Sequence, residues 1–258
     1  MSALLTDTWW MTARRLKIGM AQPVFLVISL IQPVIWLFLF GNLFERVVDL
    51  GGFGTDSYLD YIVPGVVVMN ALAWNMWAGM GTLEETSQGT LNRFLVTPVR
   101  RSAIMNANVF EQAVGTIVQS VVIVLLAWWA GATFDSGLPG VALLILLAVL
   151  LGVIFGSMSN AIGMLVRQRE SIIGINTLLL LPLTFLSTVF MVRDLMPDWM
   201  ATVSRFNPLD WAVVASRSAL SATPDWGLVL SRGGWLLALA VLMVALSIRT
   251  FRSYQKAV

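Results

Sequence analysis

Six apolar runs, most of them as long as the roughly 20 residues a helix needs to cross a bilayer, leave this chain few folds to choose from. They fall at residues 24–44, 61–82, 106–130, 141–166, 171–192 and 226–248. The last has its apolar core at 234–248 and begins earlier, near Trp226. A soluble domain carries about 25% charged residues. Here 12% are charged and 58% are hydrophobic. The pattern predicts an all-α polytopic membrane protein, one transmembrane domain over residues 1–258 with six transmembrane helices and no soluble domain.

Composition then removes whole classes of chemistry. Cysteine and histidine are absent, which excludes disulfides, Cys/His metal sites and every Ser-His-Asp or Cys-His arrangement. The two lysines, Lys17 and Lys256, stand between Leu16 and Ile18 and between Gln255 and Ala257, so no Walker A loop can be built. The pI near 9.4 rests on a net charge of +2 and gives no reason to expect a nucleic-acid partner.

Charge placement is more informative. Eleven Lys and Arg fall on the side holding both termini, the 83–101 loop and the 167–170 turn, against five on the other. The positive-inside rule therefore predicts both termini in the cytoplasm. Neither a short repeat nor a match between the two three-helix halves is visible.

Residues 1–20 interleave Asp7, Arg14, Arg15 and Lys17 with Leu4, Leu5, Trp9, Met11, Leu16 and Ile18. That reads as an amphipathic helix on the membrane surface. A cleavable signal peptide is not expected, since the charges follow an apolar start and no small-residue cleavage site precedes Pro23. The loop LEETSQGTLNRFLVTPVRR (83–101) starts with acids and caps suited to a helix N-terminus. Leu91, Phe94 and Leu95 then form an apolar ridge, and Thr97-Pro98 ends the helix. Composition alone leaves two readings open, a helix resting on lipid headgroups and a docking knob for a cytoplasmic partner.

The string GTLNRFLVTPVRR, preceded by Glu84-Glu85, resembles the signature of type-2 ABC exporter permeases. Three further strings match in order: Ile31-Gln32-Pro33 with Leu39-Phe40-Gly41, Asp60-Tyr61-Ile62-Val63-Pro64-Gly65, and Phe206-Asn207-Pro208-Leu209-Asp210-Trp211 followed by Arg217. Asp210-Trp211 stands where the family more often has Thr-Tyr. The chain is similar to the daunorubicin-resistance permeases, and exporters of lipid-linked saccharides share much of the pattern.

The resemblance implies that the loop after span two is a cytoplasmic coupling helix seated in a groove of an ABC ATPase subunit. Carried over, Glu84, Glu85, Gly89, Thr90, Leu91, Arg93, Phe94, Thr97 and Pro98 form that contact. The N-terminal helix becomes an interface helix anchored by Trp9, Trp10, Arg14 and Arg15. It implies no cofactor on this chain, with ATP and Mg on the partner ATPase, and a second permease protomer, identical or paralogous. It also implies two short re-entrant helices before span six. The residues themselves support one, from Pro208 to Ser221 with Asn207 as N-cap, and hint at another near 197–205.

Glu111 is the one acid well inside a span, near enough to Arg100 or Arg101 to pair if the chain folds back. Structural and transport roles both remain open for it. Asn108, Gln112, Gly115 and Gln119 form a narrow polar stripe that is expected to face protein. Gly152, Gly156, Ser159 and Gly163 form a small-residue face suited to close helix packing. Gln32, Trp36, Asn70, Trp74, Trp77, Asn176 and Thr184 mix aromatics with uncharged polar groups. They are either ordinary packing or a path for an amphipathic cargo. In the family, spans one, two and five line that path.

The expectation is the permease subunit of an ATP-driven exporter in the plasma (inner) membrane, its cargo a drug-like molecule, lipid or glycolipid. An ion-coupled secondary transporter is the alternative, and it predicts several buried ionisable groups and repeat symmetry. An intramembrane enzyme lacks the residues for the usual catalytic dyads.

Overall fold

The computed structural model describes residues 8–15, 17, 23–50, 53, 55, 57–87, 101–166 and 168–256, and all regular structure among them is helical. The coupling residues Gly89, Thr90, Leu91, Arg93, Phe94, Thr97 and Pro98 lie outside the described residues.

The first described helix, α1 (8–15), turns its threonines inward and its tryptophans outward. Thr8 and Thr12 are buried, whereas Trp9 and Trp10 are about two-thirds exposed (67% and 69%). Outward indoles on a helix with basic neighbours suit a membrane–water interface. α2 (Pro23–Ile35) contains Pro33, which has no N–H to donate into the helix. The chain answers with a wide π turn, Trp36–Phe40, before one last α turn, Gly41–Leu43.

α3 (Tyr58–Met76) starts at Ser57, whose extended backbone and hydroxyl cap the Leu59 N–H at 3.2 Å. It breaks at Trp77 and resumes as α4 (Ala78–Ser87). Next come α5 (Arg101–Trp129), α6 (Gly137–Val166) and α7 (Arg169–Phe185). Two short helices, α8 (Asp198–Ser204) and α9 (Pro208–Leu220), precede α10 (Trp226–Lys256). The predicted cap is present: Asn207 accepts the Leu209 N–H at 2.9 Å, with Pro208 in the first turn. The hinted helix is real as well.

Among the described residues, four helices are long and apolar enough to cross a membrane: Tyr58–Glu84, Ala107–Trp129, Gly137–Val166 and Trp226–Phe251. The first and fifth expected spans form shorter helices. Val27–Leu43 is a shorter apolar helix and α7 has 17 residues. The fifth run also ends sooner than its hydropathy predicts, at Phe185 instead of residue 192. Residues 187–192 leave the helix because side chains of α3 and α9 satisfy their backbone groups, as described below.

α6 packs against α3, α4, α5, α9 and α10 and forms the centre of the bundle. α3 is enclosed almost completely, with Ile62, Val63, Val66, Val67, Val68 and Leu72 all at 0% exposure. α2 and α7 lie on the perimeter. Val27, Ile28, Ile31 and Ile35 on α2, Leu39 in the π turn after it, and Leu178 and Leu181 on α7 remain exposed as a lipid-facing surface would.

Candidate functional site: a perimeter groove and two polar ties

Helix breaks free backbone groups, and at two breaks among the described residues side chains meet several of them. At the Trp77 break the Met76 carbonyl accepts from Ser159 and, at 2.6 Å, from Asn176. The Gly79 N–H on the far side donates to Ser159 Oγ at 3.0 Å. Asn176 is thus a buried tie between α7 and the break, and does not line the groove described below.

The polar stripe of α5 faces protein, as its spacing predicts. Asn108, Gln112 and Gln119 are buried, and Gly115 lies under the Trp74 indole, whose nitrogen would be 3.1 Å from a β-carbon there. Gln119 accepts from Asn70 at 2.6 Å, and Thr116 accepts from Asn75 at 2.8 Å. The small-residue face of α6 also packs closely: a β-carbon on Gly163 would sit 2.6 Å from the Gly79 carbonyl oxygen.

At the end of the bundle nearest α1, Glu111 pairs with an arginine that its sequence neighbourhood does not suggest. Arg15 reaches across from α1 and donates to Glu111 at 2.9 Å and to Asn108 Oδ1 at 3.0 Å. Neither Arg100 nor the side chain of Arg101 lies within the described residues. Glu84 is exposed on α4 and stands 3.6 Å from Arg169, with both side chains more than half exposed. Such a pair contributes little. Glu85 continues the α4 backbone, and Arg14 is exposed.

Four of the seven path candidates come together. Gln32, Trp36, Asn70 and Thr184 line one groove between α2, α3 and α7, completed by Pro33, Met69, Ala73, Leu180, Leu181 and Phe185. Trp74 and Trp77 lie outside it, Trp74 against α5 and Trp77 at the helix break. The π turn matters here because it aims Trp36 and Phe40 at the same place, with ring centroids 4.7 Å apart. Phe190 packs on both, at 5.1 and 5.3 Å, and Phe185 packs on Phe190 at 6.2 Å. Beyond these rings lies a second hollow, lined by Phe40, Phe185, Ser187, Phe190, Met191, Leu195, Met196, Pro197 and Met200.

The opposite end holds a cluster that the sequence reading missed. Residues 187–192 run without helix, and five carbonyls in and just before them are capped from outside. Asn207 donates to Leu183 and Leu186 at 2.7 and 2.9 Å. Tyr61 reaches Thr188, Tyr58 reaches Phe190, and Arg217 donates to Val189 at 2.9 Å. The Arg217 guanidinium also stacks 3.5 Å over the Tyr61 ring. Asp210, at 1% exposure, accepts the Thr188 N–H and hydroxyl at 2.8 and 2.6 Å and pairs with Arg193. In the sequence Asp210 stands out only as a departure from a family string. The available signal was spacing, since Asp210 and Arg217 lie seven residues apart on one face of a capped helix.

The groove, the paired Glu111 and the capped break describe a membrane bundle built around an open perimeter. Known sequences agree. The ABC-2 type transporter family matches residues 6–221. The chain is 28% identical to the daunorubicin resistance ABC transporter permease protein DrrB1 of Streptomyces coeruleorubidus, over 98% of this chain and 87% of that one. It is 29% identical to the putative transport permease ycf38 of Cyanophora paradoxa, over 74% of this chain and 66% of the relative. With the inner membrane transport permease YadH of Escherichia coli it shares 26% identity, over 80% of each. The chain belongs to the ABC-2 type transporter family.

Proposed function

We propose that this chain is the transmembrane permease subunit of an ATP-binding-cassette exporter that moves an amphipathic molecule out of the cytoplasm. The observation that carries the reading is the groove between α2, α3 and α7, where Gln32, Asn70 and Thr184 interrupt an apolar and aromatic wall. A few placed polar groups in an apolar cleft suit a cargo with one polar and one greasy side. DrrB1, named for daunorubicin resistance, supports a drug-like amphiphile over a lipid or lipid-linked saccharide. ATP and Mg would act on a separate ATPase subunit, docked through the 83–101 loop, and a second permease protomer would close the groove. Nucleotide drives transport only if it binds the inward- and outward-facing states unequally. Glu111 already holds Arg15, which supports this reading over ion coupling through that carboxylate.

The test is association. Replacing Leu91 and Phe94 by Asp places unpaired charge in a contact that docking would bury. The double variant is expected to insert in the membrane yet lose its copurifying ATPase and its export of daunorubicin. If it keeps both, the 83–101 loop is not the docking element and the exporter reading loses its link to an ATPase.

Orientation has its own check, made clean by the absence of native cysteine. Both termini in the cytoplasm of an inner-membrane protein require that single cysteines at positions 49 and 135 react with an impermeant reagent in intact cells. Cysteines at 90 and 168 are expected to stay unlabelled, and the reverse pattern would invert the topology.

A further inference from the structure

We infer that Arg15 and Glu111 form a positioning latch that makes α1, α4 and α5 respond as one body when the ATPase acts on the permease. The inference rests on the proposed exporter function and goes beyond it by assigning a role to this ion pair.

The pair does not stand alone. Arg15 donates to Asn108 as well as Glu111, Asn108 donates to Thr82 Oγ1 at 3.3 Å, and Thr82 donates to Asn160 Oδ1 at 2.7 Å. The donors all point one way, an order in which each bond polarises the next. The chain crosses four helices: α1 gives Arg15, α5 gives Asn108 and Glu111, α4 gives Thr82 and α6 gives Asn160. Asn108, Thr82 and Asn160 are buried, the Arg15 side chain is 14% exposed, and the Glu111 side chain, at the open end of the tie, is 34% exposed.

Connectivity gives this crossing its consequence. α4 leads into residues 88–100 and α5 leads out of them. The tie sits five residues before the end of α4, at Thr82, and within the first three turns of α5. A displacement delivered to that loop therefore meets the tie on both of the helices that carry it toward the groove. With Arg15 in place, α1 moves with both flanking helices and the push arrives at α6. Without it, Asn108 still ties α5 to Thr82 of α4, but α1 is no longer held to α5 and drops out of the response. An exposed ion pair between two helices could not do this. One embedded in a buried hydrogen-bond chain can.

A structural role alone would make the pair matter for folding and nothing else, so the experiment reads coupling in the assembled complex. Leu181 is exposed and lines the groove, and a Leu181→Cys chain carries one thiol. Its labelling rate by a maleimide is measured in the permease–ATPase complex with and without ATP. The parent complex is expected to change rate on adding ATP. Glu111→Gln in the same background is expected to keep ATPase association and ATP hydrolysis while its ATP-dependent change shrinks by about five-fold or more, the lower range of an allosteric coupling. The exchanged pair, Arg15→Glu with Glu111→Arg, is expected to recover most of the response. Should Glu111→Gln fail to insert, Arg15→Gln, lying outside the long helices, carries the same expectation.

A full ATP response in the neutralised variant would overturn the latch, as would an exchanged pair no better than either single change. A parent chain that binds no ATPase, or shows no ATP response, would instead overturn the exporter reading. The two failures are separate.

Discussion

Gly163→Val is expected to prevent the chain from accumulating as a folded, monodisperse protein. A β-carbon there would lie 2.6 Å from the Gly79 carbonyl oxygen and 3.2 Å from Gly79 Cα. Both obstacles are backbone, so no rotamer change relieves them. The reciprocal substitution, at Gly79, would drive its β-carbon into the Ser159 carbonyl and to 2.7 Å from the Ser159 hydroxyl. Overpacking ordinarily costs about 1–3 kcal/mol because side chains give way. In this crossing the α4 backbone itself must retreat, carrying with it the Gly79–Ser159 hydrogen bond, so the cost lies at or above about 3 kcal/mol. Gly174→Ala is the control, since nothing lies within 4 Å of a β-carbon there. It is expected to be neutral or slightly stabilising, by up to about 1 kcal/mol from helix propensity. Thermal unfolding of detergent-purified variants, followed by size-exclusion recovery, separates the two. Equal midpoints for Gly163→Val and the parent would mean that α4 and α6 do not cross as described.

Asp210→Ala is the second large effect. It strips Arg193 of its carboxylate and leaves the Thr188 N–H and hydroxyl without their acceptor. Removing one partner of a buried pair costs about 3–5 kcal/mol because the other charge is stranded. The Arg193 side chain is 29% exposed and can recruit some water, which places the expected loss near the lower end, about 3 kcal/mol. Asp210→Asn keeps an acceptor for Thr188 and is expected to lose less. Arg193→Ala leaves Asp210 its two Thr188 donors and is expected to be milder still. The double change, Asp210→Ala with Arg193→Ala, is expected to cost less than the sum of the singles, the mark of direct contact. A thermal-unfolding cycle in one detergent measures all four. Strict additivity would show that the two residues do not interact.

The parts of the fold that the sequence made legible are those governed by one helix at a time. Hydropathy placed the long helices, the Asn207-Pro208 cap placed α9, and the spacing of Asn108, Gln112, Gly115 and Gln119 showed which side of α5 turns inward. What escaped depended on where one helix lies against another. Residues 186–192 are apolar enough to extend a span, and nothing in them announces that Asp210, Asn207 and Arg217 will compete for their backbone. Glu111 was visible as an acid within a span, but the arginine that pairs with it sits 96 residues away on α1. Chain proximity had favoured Arg100 or Arg101. The groove was half legible: polar residues on α2, α3 and α7 pointed to it, yet side-chain type could not tell Asn70, which lines it, from Asn176, which plugs a helix break.

The uncoiled stretch after α7 has a consequence for how the protein is made. The groups that satisfy the Leu183, Leu186 and Val189 carbonyls and the Thr188 N–H belong to Asn207, Arg217 and Asp210, all of which leave the ribosome later. Until that portion has been translated, the end of α7 would present bare peptide groups to hydrocarbon, where they cannot remain. The segment must therefore wait near the headgroups or in the insertion machinery, and it settles only when α9 packs upon it. Biosynthesis of the groove is thus completed from its C-terminal side. A nascent chain stalled before residue 207 would hold every residue that lines the groove and still lack the side chains that cap the end of α7.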